Sequence, residues 1–81
     1  MRMVTAFIMV NVEPGKEAEI CQEVSKHSAV CETALTYGEF DILVKVKVES
    51  MDALNDFVFR CLRKISGIRE TTTVIVAEYV L

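Results

Sequence analysis

Two stretches of helical periodicity interrupt an otherwise strand-like alternation of apolar and polar residues along this chain. Met3 to Val12 (MVTAFIMVNV) is rich in Val, Ile, Phe and Thr and ends at Glu13-Pro14-Gly15, which breaks extended backbone and so closes a first predicted strand. From Lys16 the pattern changes. Glu17, Glu19 and Glu23 stand early while Ile20, Cys21, Val24 and His27 share one stripe, which predicts a helix ending near Ser28, with Pro14 just ahead of its first turn. Ala29 to Tyr37 and Phe40 to Val48 are again strand-like, and Gly38-Glu39 between them predicts a tight antiparallel hairpin in which Gly takes the positive-φ position. Ser50 is a suitable N-cap for a second helix, where Leu54, Phe57, Val58, Cys61, Leu62 and Ile65 recur at helical spacing and Arg60, Arg63 and Lys64 favour its negative end. Gly67 stops that helix, and Thr71 to Leu81 (TTTVIVAEYVL) is the last predicted strand. The order βαββαβ is that of an α+β, ferredoxin-like sandwich, a four-stranded antiparallel sheet with two helices on one face.

The strand faces carry a second message. Ile42, Val44, Val46 and Val48 alternate with Leu43, Lys45 and Lys47, so one face of that strand belongs under the helices. In the first and last strands both parities are apolar: Ala6, Ile8 and Val10 against Phe7 and Met9, then Val74 and Val76 against Ile75, Ala77 and Tyr79. Two helices cover only one side of a sheet, and soluble monomers rarely expose so large an apolar patch on the other. An obligate dimer joined through the open sheet face is therefore expected.

Length and charge narrow the functional classes. With 81 residues the chain is expected to be a single domain, residues 1–81. A domain of that size buries only about 60% of the surface its unfolded chain exposes, and so has little room for a deep active site. Nine basic against 12 acidic residues give a net charge of −3, and the basic ones are scattered rather than striped, so direct nucleic-acid binding is not expected. The longest apolar run, Ala6 to Val10, is far too short to span a bilayer, and it is too short behind Arg2 to make a secretory leader. A cytoplasmic protein without a membrane partner is expected. Cys21, Cys31 and Cys61 form no CxxC unit and are expected as reduced, packed thiols.

Candidate chemistry is sparse. His27 is the single histidine and sits on the core-facing stripe, with no Cys or carboxylate at metal-ligand spacing, and the three glycines form no phosphate loop. No enzyme, cofactor or metal site is expected. The polar residues of interest are Thr36-Tyr37-Gly38-Glu39-Phe40-Asp41 and Thr71-Thr72-Thr73. Both segments are also ordinary strand and hairpin chemistry. Hydroxyls, free backbone N–H groups and one carboxylate at strand ends nonetheless suit a small zwitterion, the carboxylate meeting an amine and the N–H groups a carboxylate.

Several segments together resemble one family: Ala6–Val12 followed by Pro14-Gly15-Lys16; Gly38-Glu39-Phe40-Asp41 with Ile42-Leu43-Val44-Lys45; Ser50-Met51-Asp52-Ala53-Leu54; and Ile65-Ser66-Gly67-Ile68 leading to Thr71-Thr72-Thr73-Val74-Ile75-Val76. Over nearly its whole length the chain resembles the Lrp/AsnC effector-binding domain, also called RAM. The resemblance implies dimers made through the sheets, rings of four or five such dimers (an octamer or decamer), and amino acid effectors bound where dimers meet. Carried over, the ligand-facing residues are Gly38, Asp41, Met51, Thr71, Thr73, Val74 and Ile75, flanked by Tyr37 and Thr36, with Asp41 setting polarity and the threonines and backbone holding the α-carboxylate.

Full-length members carry a helix-turn-helix domain and linker ahead of this unit, whereas here the unit begins at Met3. The expectation is a stand-alone form, a sensor of amino acids or a co-assembly partner of a full-length regulator. Two other readings share parts of the pattern. A small dimeric α+β barrel enzyme of the monooxygenase type has the same element order, but its barrel interior would find only Asn11 and the poorly placed His27. An ACT-like regulatory domain would share the ligand chemistry and differ in how its sheets associate.

Overall fold

A computed structural model describes residues 3–81 of the chain, so Arg2 lies outside the described residues. The elements are β1 (Val4–Val12), α1 (Glu17–Ser25), β2 (Val30–Leu35), β3 (Ile42–Val48), α2 (Met51–Asp56) continued by a π turn (Phe57–Cys61) and a 3-10 turn (Leu62–Lys64), and β4 (Ile68–Ile75). The sheet order is β2-β3-β1-β4, and every neighbouring pair is antiparallel. This is the expected ferredoxin-like arrangement. Among the described residues no helix is long and apolar enough to cross a membrane.

The core follows from strand alternation. Ala6, Ile8 and Val10 of β1 lie opposite Val46, Val44 and Ile42 of β3, and all six are fully buried beneath Ile20, Val24, Leu54, Phe57, Val58 and Leu62 of the helical layer. Phe7 and Met9 pair with Lys45 and Leu43 on the opposite face, and Val74 joins them there opposite Phe7. That face has no helical cover. The C-terminal residues come back over part of it, bringing the Tyr79 ring to 5.9 Å from Lys45 Nζ, which is also 5.9 Å from the Phe7 ring.

Four expectations need correction. The hairpin is wider than a Gly38-Glu39 turn: β2 ends at Leu35 and β3 starts at Ile42, because the Thr36 N–H to Asp41 O bond (3.0 Å) closes the turn across six residues. The last strand runs Ile68–Ile75 rather than Thr71–Leu81. Val76 N–H still bonds Thr5 O at 2.9 Å, and beyond Val76 the chain leaves the edge of β1.

The second helix is α-helical only to Asp56. There the Leu62 N–H reaches back to Phe57 O, a π-type bond, and the widened turn keeps the adjacent Phe57 and Val58 both in the core while Cys61 swings outward. The thiols are accordingly not all packed. Cys21 is half-buried, whereas Cys61 and Cys31 are exposed, the latter because a register shift between Val30 and Glu32 takes it out of the strand alternation.

Candidate functional site

The β2–β3 loop and the start of α1 enclose a surface cleft of about 440 Å³, lined by Glu17, Leu35, Thr36, Tyr37, Gly38 and Asp41. Its frame is a small hydrogen-bond network. Thr36 Oγ1 donates to Phe40 O at 2.6 Å, and the Thr36 N–H donates to Asp41 O. Asp41 N–H donates to Val10 O at 3.0 Å, while Val12 N–H donates to Asp41 Oδ2 at 2.9 Å. The aspartate thus prolongs the β1–β3 ladder one step past Ile42 with its own side chain. Gly38 holds φ +129, a conformation that L side chains rarely adopt, and this lets the loop turn with Tyr37 projecting fully into solvent.

Chemically the cleft offers two carboxylates, Asp41 and Glu17, beside the apolar surfaces of Leu35 and Tyr37. Such a set attracts a cationic amine attached to a small apolar body. Glu17 and Leu35 were absent from the residues singled out in the sequence. Glu17 looks there like any first-turn helix acid, and Leu35 like any strand residue; only the folding of α1 against the hairpin brings them to Asp41.

The remaining sequence-selected residues lie elsewhere. Thr71 pairs with Val10, whose partner on the other side is Ile42, so Thr71 lies across β1 from the end of the hairpin and one step short of Asp41. Thr73 lies opposite Ile8 in mid-sheet, and Ile75 opposite Ala6 further along, all on the helix-side parity of the edge strand. Val74 faces the other way. Met51 opens α2 beyond the far end of β3, about 20 Å along the sheet from the hairpin. A single chain therefore gathers Tyr37, Gly38 and Asp41 in one cleft, holds Thr71 outside it across β1, and keeps Met51, Val74 and Ile75 towards the opposite end.

His27 is not part of this cleft. Its Nδ1 accepts the Ala29 N–H at 3.1 Å and its ring meets Phe57 edge-on at 4.7 Å, as a half-buried residue joining α1 to the second helix. Among the described residues no three His, Cys, Asp or Glu side chains come together as a metal set.

Comparison with known proteins agrees with the fold and extends it. The model of the Lrp/AsnC ligand binding domain family matches residues 5–81. HTH-type transcriptional regulator FL11 of Pyrococcus horikoshii is 34% identical over 73 residues, which are 90% of this chain and 48% of that protein. The chain thus spans about half the length of the curated relatives it matches. Among solved structures, FFRP-DM1 superposes with a TM-score of 0.87 at 36% identity, covering 90% of this chain and 97% of that one. Transcriptional regulator NMB0573 of Neisseria meningitidis, solved as a complex with L-Met, gives a TM-score of 0.86 at 25% identity, covering 96% of this chain and 52% of that one.

Proposed function

This chain belongs to the Lrp/AsnC ligand-binding domain family, and from that premise we propose that it is a non-enzymatic, cytoplasmic module that binds an amino acid effector and couples binding to assembly. The observation that carries the reading is the hairpin cleft, where the Asp41 and Glu17 carboxylates stand beside Leu35 and Tyr37. An α-ammonium meets the carboxylates and the effector's side chain meets the apolar wall. The L-Met complex of the Neisseria relative supports an amino acid as the ligand class.

The split of the candidate residues fits the same reading. Asp41, Gly38 and Tyr37 at one end of the sheet supply half of a site, and Met51, Thr73 and Ile75 of a neighbouring copy supply the other half where dimers meet in a ring of eight or ten chains. Dimers form through the open sheet face of Phe7, Met9, Leu43 and Val74. Mixed assembly with a DNA-binding regulator of the same family is the route by which such a module acts on transcription.

The decisive experiment is a thermal-shift panel of the twenty amino acids run together with native mass measurement. A ligand at 100 times its Kd adds about 2.7 kcal/mol to apparent stability. The expected result is a raised Tm with one or a few amino acids, on an oligomer whose mass is an even multiple of the chain. An oligomer whose Tm no amino acid moves would sink effector binding, and a monomer would sink the shared site.

A further inference from the structure

A second pair of reactive groups lies at the other end of the sheet, away from the hairpin cleft. Its geometry begins with the His27 tautomer. Nδ1 accepts the Ala29 N–H at 3.1 Å, so in the neutral ring the proton resides on Nε2. Nε2 is 3.6 Å from Cys61 Sγ, within reach of a hydrogen bond to sulfur. The edge contact with Phe57 and the Ala29 bond together fix the ring plane, and the π turn ending at Cys61 delivers the thiol outward to meet it.

The thiol opens onto a groove of about 280 Å³ between α1 and the second helix, whose walls include Val24, Phe57, Leu62 and Ile65. The charged neighbours are largely paired among themselves, Lys26 with Glu23 and Arg60 with Asp56. A metal ion is a poor occupant, because Nε2 keeps its proton while Nδ1 accepts and no third ligand joins the pair among the described residues. The Nε2–H held against sulfur instead fixes the position of the thiol at the groove.

We infer that Cys61 is a thiol modification site, positioned by His27, for organic hydroperoxides with a small apolar body. The thiolate sulfur attacks the terminal peroxide oxygen, the O–O bond breaks as the S–O bond forms, and sulfur is oxidised by two electrons to a sulfenic acid. The departing alkoxide takes up the proton that the thiol lost on ionising, so thiol and hydroperoxide give sulfenic acid and alcohol. The apolar groove walls are the reason an organic hydroperoxide is preferred over hydrogen peroxide. His27 acts through the sulfur and is a positioning residue. This site is independent of the effector reading.

The experiment treats the whole chain with cumene hydroperoxide or hydrogen peroxide, traps sulfenic acid with dimedone and quantifies each cysteine by peptide mass. Cys31, exposed on the β2 bulge, is the control inside the same molecule. Cys61 is expected to label several-fold faster than Cys31, with a larger ratio for cumene hydroperoxide. His27→Ala should bring the Cys61:Cys31 ratio close to one, and His27→Gln, which offers a side-chain N–H near the same position, should restore part of it. Equal rates at the two cysteines in the unaltered protein overturn the proposal without any variant. So does a folded His27→Ala protein in which the ratio is unchanged. A ratio equal for both oxidants would overturn the choice of an organic hydroperoxide.

Discussion

Asp41 and Val12 are joined by a bond in which the Val12 N–H donates to the Asp41 carboxylate at 2.9 Å, at the point where β1 outruns β3. The same aspartate lines the hairpin cleft, so one side chain serves both the sheet and the candidate site. Truncation therefore confounds the two. Asp41→Ala should cost about 1–2 kcal/mol, since a hydrogen bond to a charged acceptor is lost at a half-buried position, and lower Tm by several degrees. Asp41→Asn keeps an acceptor oxygen for Val12 and removes the charge. It should retain most of the stability while effector affinity falls, as calorimetry on both variants would reveal; unchanged affinity in Asp41→Asn would remove the carboxylate from the binding chemistry.

Gly67 is the most constrained glycine. Its φ is +98, its carbonyl accepts the Glu13 N–H at 2.8 Å, and an added Cβ would lie 3.0 Å from Ile20 Cδ1 and 3.3 Å from Lys16 Cδ. Gly67→Ala combines a left-handed backbone penalty with crowding of a buried isoleucine, and about 2–3 kcal/mol of destabilisation is expected in urea unfolding. Adding Ile20→Val to Gly67→Ala should relieve the crowding and leave the backbone term. A double-mutant cycle with no coupling between the two positions would show that the clash is relaxed elsewhere.

These two positions also mark how far the chain is legible before it folds. Strand alternation in β1 and β3 and the Ser50 cap, which accepts the Ala53 N–H at 3.1 Å, are local signals, and both hold in the structure, whereas the second helical segment stops at Lys64, ahead of Gly67. The π turn is not local: it arises because Phe57 and Val58 must both reach the core, and a periodicity that counts every apolar residue as α-helical puts Cys61 on the wrong side. For the candidate site, Tyr37, Gly38 and Asp41 were readable because they are neighbours in sequence. Glu17 joins them only through tertiary packing, and the distance of Met51 depends on the length and direction of β3.

Thr33 presents the opposite of a capped polar group. Its hydroxyl is buried on the helix-side face, opposite Val44, and has no hydrogen-bond partner. Thr33→Val replaces that hydroxyl with a methyl of similar size, so stability should rise by about 1 kcal/mol, the order of the desolvation penalty removed. A lower Tm in Thr33→Val would mean that the hydroxyl is in fact satisfied in solution.

Burial pushes the Cys21 thiol above its ordinary value of 9.0. The unfolded chain then loses this proton at lower pH than the folded one, so folding stability contributed by the neutral thiol is fully present below pH 9.0 and is lost as pH rises through the folded value. Urea unfolding at a series of alkaline pH values should show a steeper decline for the unaltered protein than for Cys21→Ala. Parallel declines would take Cys21 out of the alkaline sensitivity. The same shift makes Cys21 slower than exposed Cys31 towards iodoacetamide at neutral pH.

The open sheet face bears on assembly most directly. Met9 lies opposite Leu43 and Val74 opposite Phe7, on a face that no helix covers. If a second copy covers it, Met9→Glu or Val74→Glu puts an unpaired charge into a desolvated contact, a penalty of several kcal/mol that the helix-side core does not share. Each variant should then shift the native mass from an oligomer towards the 9.1 kDa chain and reduce Tm at low protein concentration. A control on the outer helix surface, Gln22→Glu, should leave the mass unchanged, because Gln22 is exposed on α1. Oligomers that persist in both face variants would mean that copies meet elsewhere than through the open sheet face.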